Sequence, residues 1–203
     1  MQVYKISSKN GYSNSFVVTK DGKDGILIDC AEPSVLNECD KLGIKIDTIL
    51  LTHGHFDHVC GCRVFAESEY AGIYCSKEEK PLIFSREYLG IFGGVSVSRF
   101  EIDRELSDGD EFELCGMKVK MLSTPGHSAG SVCYIIGDML FTGDTLFKGA
   151  VGRWDLPTGS YSDLRASLKK LKDLDCDYKI YCGHGEDSTL GYERKTNPYL
   201  RSI

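Results

Sequence analysis

A chain of 203 residues is long enough for one substantial domain, expected here to run over 1–203, and its 41% hydrophobic and 27% charged content is that of an ordinary globular protein. A net charge of −6, from 24 Lys and Arg against 30 Asp and Glu, argues against a nucleic-acid surface, which needs clustered cations to meet phosphates. No apolar run approaches the roughly 20 residues that span a bilayer, and Met1–Ile6 lacks the basic-then-apolar layout of a signal peptide, so the cytoplasm is the expected compartment. In that setting nine cysteines, an odd number, read as reduced thiols and not as a disulfide framework.

Residues 2–7, 14–19 and 25–30 read as three strands broken by the turn signals Lys9-Asn10-Gly11 and Lys20-Asp21-Gly22. Pro33 opens a helix over 33–42, with Val35, Leu36 and Leu42 as its buried side and Gly43 as its stop. Ile46–Leu51 is a short apolar, β-branched strand leading into Thr52-His53-Gly54-His55-Phe56-Asp57-His58. Three of the chain's five histidines therefore sit within six residues.

On a helix, residues two apart point to nearly opposite sides, but in an extended segment they point the same way. His53 and His55 can therefore grip one metal while Asp57 and His58, past a bend, turn toward a second. Neutral imidazole and carboxylate suit zinc, iron or manganese. Nearby Cys60 and Cys62 lack the Cys-x-x-Cys spacing of zinc or redox sites and read as small core residues.

A helix is expected over 59–70, a strand at 73–75, and a helix over 77–84 announced by the capping-box pattern Ser76-Lys77-Glu78-Glu79. Residues 84–98 mix aromatics with glycine and read as a loop bordering the site or as a packed connection. Strands return over 99–122. Met117–Leu122 then leads to Pro125-Gly126-His127, Met139–Phe141 to Thr142-Gly143-Asp144, and Tyr178–Cys182 to Gly183-His184. Each time an apolar strand stops, a glycine permits a bend, and a metal-competent side chain follows, as on the rim of a sheet. Ser160–Leu174 carries leucines at helical spacing and reads as an amphipathic helix packed on a sheet.

The ordered set His53-x-His55-x-Asp57-His58, His127, Asp144 and His184 resembles the metallo-β-lactamase superfamily. The resemblance implies an α+β fold of four αββα layers with a metal site on one edge. It implies that His53, His55 and His127 hold one metal and Asp57, His58 and His184 the other, with Asp144 bridging. Two divalent ions are expected, zinc by default and iron or manganese otherwise, with Asp57 as the catalytic carboxylate that orients the nucleophile.

Phe141–Phe147 with Gly149–Arg153, and Gly183–Arg194 with Asn197-Pro198-Tyr199, are similar to the short, single-domain bacterial branch of glyoxalase II, the hydroxyacylglutathione hydrolases. The implied reaction takes S-D-lactoylglutathione or a related hydroxyacyl thioester to a hydroxy acid and a thiol. The expected partner is this small molecule, not nucleic acid or membrane. Long-form relatives continue after the last histidine into a helical domain that contacts glutathione; here 19 residues follow His184, so a weak grip on glutathione is expected. Arg153 occupies the position of a basic residue near the thiol carrier, where it can bind a carboxylate or pair with Asp155; Lys148 and Trp154 beside it read as surface or packing residues.

Two alternatives stand beside this reading. A similar scaffold, the persulfide dioxygenase branch, would use one iron on His53, His127 and Asp144, but that branch usually ends its last histidine motif in His-Asp-Tyr, whereas this chain has His184-Gly185-Glu186. A non-catalytic metal-binding module on the same fold would generally have lost ligands, and none of the seven is missing.

Overall fold

A computed structural model describes residues 1–68, 71–83 and 97–203. Gln2–Ser7 (β1), Asn14–Thr19 (β2) and Asp24–Ile28 (β3) form an antiparallel meander. Lys45–Leu50 (β4), Gly72–Ser76 (β5) and Arg104–Leu106 (β6) extend it in parallel, giving a six-stranded sheet in sequence order. A second sheet is built from Glu111–Leu114 (β7), Met117–Ser123 (β8), Val132–Ile136 (β9) and Met139–Gly143 (β10). Leu146–Phe147 (β11) and Ala150–Val151 (β12) make a small separate hairpin, and Lys179–Cys182 (β13) and Ser188–Thr189 (β14) complete the second sheet in the order β14-β13-β10-β9-β8-β7.

The strands are apolar on both faces because both faces are covered. Phe16, Val18, Ile26, Ile28 and Leu50 point inward to meet Met117, Val119, Met121, Tyr134 and Phe141 of the second sheet. Their neighbours Val17, Leu27, Ile49 and Leu51 point outward, as period-two alternation requires, and pack under Ser34–Leu42 (α1), Phe56–Val59 (α2) and Cys62–Ser68 (α3). On the far side, Cys133, Leu140 and Ile180 meet Leu164, Leu168 and Leu171 of a long helix and Leu190 and Leu200 of two C-terminal ones. Three apolar seams define four layers, αββα. Each fully buried Leu, Ile or Phe contributes about 1.5–3 kcal/mol. The Tyr134 hydroxyl, buried between the sheets, donates to Leu51 O at 2.8 Å and so ties β9 to the end of β4.

Local chemistry explains where the helices differ from the pattern in the sequence. In α1 Gly43 terminates the helix at φ 67°, but Cys39, four residues after Val35, takes a buried position and Leu42, in the last turn, is 37% exposed. The helix expected over 59–70 is two pieces, α2 and α3, and residues 69–70 lie outside the described residues. The break falls at Gly61, whose N–H donates to Cys30 O at 2.9 Å and whose added Cβ would stand 2.4 Å from Cys30 Sγ. Contact with the end of the β3 segment therefore overrides helical continuity. The helix expected over 77–84 is a turn followed by Lys80–Ile83 (α4). Of the loop at 84–98, residues 84–96 lie outside the described residues. Tyr161–Lys172 (α5) starts at Ser160, whose Oγ accepts from Asp163 N. Leu190–Thr196 (α6) and Pro198–Arg201 (α7) were not foreseen from the sequence; Thr189 and Asn197 cap them.

Candidate metal centre

Four strand ends converge on one edge of the sandwich. β4 delivers His53, His55, Asp57 and His58; β8, β10 and β13 deliver His127, Asp144 and His184. Backbone bonds lace the two sheets together there, Val132 N donating to Thr52 O (2.9 Å) and Asn14 N to Gly183 O (2.7 Å), while Gly183 N donates to Gly143 O (2.9 Å) within the second sheet. All seven side chains named from the sequence meet. Ligand atoms of His53, His55 and His127 lie within 4.8 Å of one another, as do those of Asp57, His58 and His184, and those of His53, His58 and Asp144. Asp144 stands between the halves, 3.5 Å from both His127 Nε2 and His184 Nε2 and 3.4 Å from His58 Nε2.

A carboxylate that the sequence reading passed over orders the rings. Asp29, 2% exposed and in the left-handed region at φ 55°, accepts from Thr52 N (2.8 Å), Thr52 Oγ1 (2.7 Å) and His58 Nδ1 (2.7 Å). Because the Thr52 hydroxyl donates to Asp29, its oxygen is left to accept from His53 Nδ1 at 3.1 Å. His127 Nδ1 donates to the Arg153 carbonyl at 2.7 Å. Three rings are thus anchored through Nδ1, with Nε2 turned to the centre. The only signal in the sequence was an acidic residue ending the apolar run Gly25–Cys30.

Among the described residues, the buried side-chain N and O atoms with no hydrogen-bond partner are His53 Nε2, His58 Nε2 and Asp144 Oδ1. Buried polar groups are otherwise almost always paired. All three orphans face the same point, and rings fixed by a second hydrogen bond are the hallmark of metal ligands. The residues fit a metal.

The charge pattern agrees. Burial, followed by the neighbouring imidazoles, holds His53 well below its ordinary pKa, and burial and His127 bring His55 down to about 3. Burial also lowers His127. Burial works against the imidazolium of His58, but Asp29, Asp144 and Asp57 outweigh it and raise the pKa well above the usual value. Asp144 is held far below the carboxylate range, since His58, His127 and His184 overcome its burial.

A profile of the metallo-beta-lactamase superfamily matches residues 9–184. The chain belongs to the metallo-beta-lactamase superfamily. Within this superfamily it is 32% identical over 197 residues to hydroxyacylglutathione hydrolase GloC of Haemophilus influenzae, covering 93% of each chain. Among solved structures it is similar to TTHA1623 in a di-iron-bound form (TM-score 0.85, 32% identity, 97% of this chain and 100% of that one). It is also similar to the BLEG-1 B3 metallo-beta-lactamase (TM-score 0.92, 26% identity, 98% and 99%).

The cluster opens to one side. Here a cleft of about 300 Å³ is bordered by Phe56, Phe147, Leu156 and Arg153 above the cluster. Arg153, 61% exposed, forks onto Asp155 through Nε (2.7 Å) and Nη2 (2.9 Å), so in this structure it makes the neighbouring pair. Lys148 pairs with Glu186, and the Trp154 ring packs 4.9 Å from Tyr161. Cys62 is buried and Cys60 half-buried; neither belongs to the cluster.

Proposed function

We propose that the chain hydrolyses small acyl thioesters with two divalent ions. His53, His55 and His127 would hold one ion, Asp57, His58 and His184 the other, with Asp144 shared. When bound, such ions lower the pKa of water toward neutrality and polarise a carbonyl oxygen. The observation that carries this reading is the set of three buried ligand atoms without a hydrogen-bond partner, His53 Nε2, His58 Nε2 and Asp144 Oδ1, where the two halves of the cluster meet. The thioester is supported by the similarity to the hydroxyacylglutathione hydrolase of H. influenzae over nearly the whole of both chains.

The chain's own groups supply the rest. Burial raises the pKa of Asp57, but His58 and His184 outweigh it and keep the carboxylate ionised. Asp57 Oδ2, 3.2 Å from His184 Nε2, accepts a hydrogen bond from the attacking water and aims it at the acyl carbon. Phe56, Phe147 and Leu156 shield the acyl group from solvent. The thiolate then departs without strong acid assistance. At the rim, the Arg153–Asp155 pair is exposed on both sides and therefore weak, so a carboxylate of the thiol carrier can displace Asp155.

The test is metal content together with a side-by-side assay of acyl-glutathione, acyl-CoA, glutathione persulfide with oxygen, and a β-lactam. Two equivalents of metal and thioester turnover are expected. Persulfide oxidation by a single-iron form would overturn the reading in favour of a dioxygenase. Arg153→Ala should raise KM for acyl-glutathione about tenfold or more, since a charge-assisted hydrogen bond contributes roughly 1.5–3 kcal/mol and each 1.4 kcal/mol is about tenfold. A thioester without the carrier carboxylate should be spared; an equal effect on both would make Arg153 a structural residue.

A further inference from the structure

Ser76-Lys77-Glu78-Glu79 has the pattern of a capping box, and half of one forms: Ser76 Oγ accepts from Glu79 N at 3.1 Å. In the other half of such a box the glutamate would turn back to the backbone of Ser76. It does not. Glu79 is fully buried, and its Oε1 accepts from Gly54 N at 2.8 Å while Oε2 accepts from Gly130 N and Ser128 Oγ, each at 2.9 Å. Gly54 lies between His53 and His55, and Ser128 follows His127 directly.

All three of these donors are uncharged. Moving a carboxylate out of water costs several kcal/mol even after relaxation, and closing one turn of helix does not require it. What a carboxylate does is accept from two separate loops at once. The three segments are also pressed together at backbone level. A Cβ on Gly130 would fall 2.3 Å from Glu79 N, and one on Gly54 would fall 2.6 Å from Ile83 Cγ1. Ser76 Oγ adds a bond to Gly130 O at 2.7 Å.

We propose that Glu79 is a positioning residue for the His53–His55–His127 half of the centre. It clamps the loop after β4, from the first sheet, to the loop after β8, from the second, so that the three rings converge. The Asp57–His58–His184 half is fastened by other groups. Asp29 holds His58, and Ser13 Oγ donates to Asp57 O at 2.7 Å. Asn14 Nδ2 donates to Cys182 O at 3.0 Å, beside His184. Glu79 therefore acts on one half alone, an inference that rests on the two-metal reading above.

The experiment loads the full chain with cobalt(II) and titrates it with a chelator, comparing wild type, Glu79→Gln, Ser128→Ala and His127→Ala. In Glu79→Gln an amide donor must face the N–H and O–H donors of one loop, so one of the two equivalents should be lost at about 10- to 100-fold lower chelator, the range for removal of an outer partner of a metal ligand. The absorption band that disappears first should be the one missing in His127→Ala. Ser128→Ala, which removes one donor, should loosen the same equivalent by a smaller factor, and it decides the matter if Glu79→Gln does not fold. Loss of both equivalents together, in step with the melting temperature, would make Glu79 a structural residue; unchanged binding of both would also overturn the proposal. A wild type that holds a single equivalent refutes the two-metal reading. Glu79 as a positioning residue then survives only if that ion loosens in Glu79→Gln at an unchanged melting temperature of the metal-free chain.

Discussion

Replacing Asp29 by Asn should reverse the proton order of two histidines while leaving the backbone in place. Asn is among the few residues that tolerate the left-handed φ of 55° found here, so the substitution isolates the side chain. If the amide oxygen keeps Thr52 N, the amide nitrogen takes the place of Oδ2 and now donates toward both Thr52 Oγ1 and His58 Nδ1. His58 must then accept at Nδ1 and carry its proton on Nε2. The Thr52 hydroxyl, no longer donating to residue 29, donates to His53 Nδ1 and moves that ring's proton as well. Both Nε2 lone pairs, the two orphaned nitrogens of the centre, are lost to a metal.

If the amide turns over instead, its nitrogen opposes Thr52 N–H, leaving buried donors unpaired at about 1–3 kcal/mol. At 1.4 kcal/mol per tenfold, either route predicts metal affinity lower by about 10- to 100-fold. Unlike the Glu79 variant, this one should loosen both equivalents, since His53 belongs to the His53–His55–His127 group and His58 to the Asp57–His58–His184 group. Chelator competition gives the affinities, and the ring-nitrogen shifts of the metal-free chain, read at alkaline pH where both rings are neutral, report where the protons sit. An Asp29→Asn protein that binds two ions with wild-type affinity would refute the argument that Asp29 sets the tautomers.

Acid should destabilise the metal-free chain. Its His53, His55 and His127 are held neutral below their ordinary pKa, whereas His58 and His184 are raised and add a stability that grows as the pH falls toward 6.5 and is complete below about pH 6. Below about pH 6.5 the unfolded state binds protons that those three refuse. Stability should then fall by up to about 1.4 kcal/mol per pH unit for each, continuing for His55 down to about 3, as read by urea titration at pH 6, 5.5 and 5, where His58 and His184 no longer contribute a slope. A flat profile would contradict the burial of three neutral rings. Glu193→Ala should cost about 2–5 kcal/mol, because this fully buried carboxylate accepts from Gly149 N (2.8 Å), Asn197 Nδ2 (2.9 Å) and Ser188 Oγ (2.5 Å). Catalysis should fall too, since the loop from Phe147 to Arg153 hangs on those bonds, whereas neighbouring Tyr192→Ala, 51% exposed, should change stability by less than about 0.5 kcal/mol. Asp57→Asn should abolish most turnover with circular dichroism unchanged; near-normal turnover would remove Asp57 from the reaction.

What the chain's order of residues determined is what depends on neighbours a few positions away. Alternating apolar residues such as Phe16–Val17–Val18 and Ile26–Leu27–Ile28 specify strands covered on both faces. Glycine turns after β8, β10 and β13 present His127, Asp144 and His184, and the spacing of His53, His55, Asp57 and His58 divides them between two sides. Tertiary structure decided whatever depends on where a buried group finds its partner. Glu79 reads locally as a helix cap and is in fact a link between Gly54 and Gly130, 76 residues apart in sequence. Asp29 looks like the end of a strand until folding brings Thr52 and His58 against it. The helix after His58 breaks at Gly61 because Cys30 lies against it. A carboxylate in water is satisfied anywhere along the chain, but once buried it must be met by donors from whichever segments pack around it, and only the three-dimensional fold selects those segments.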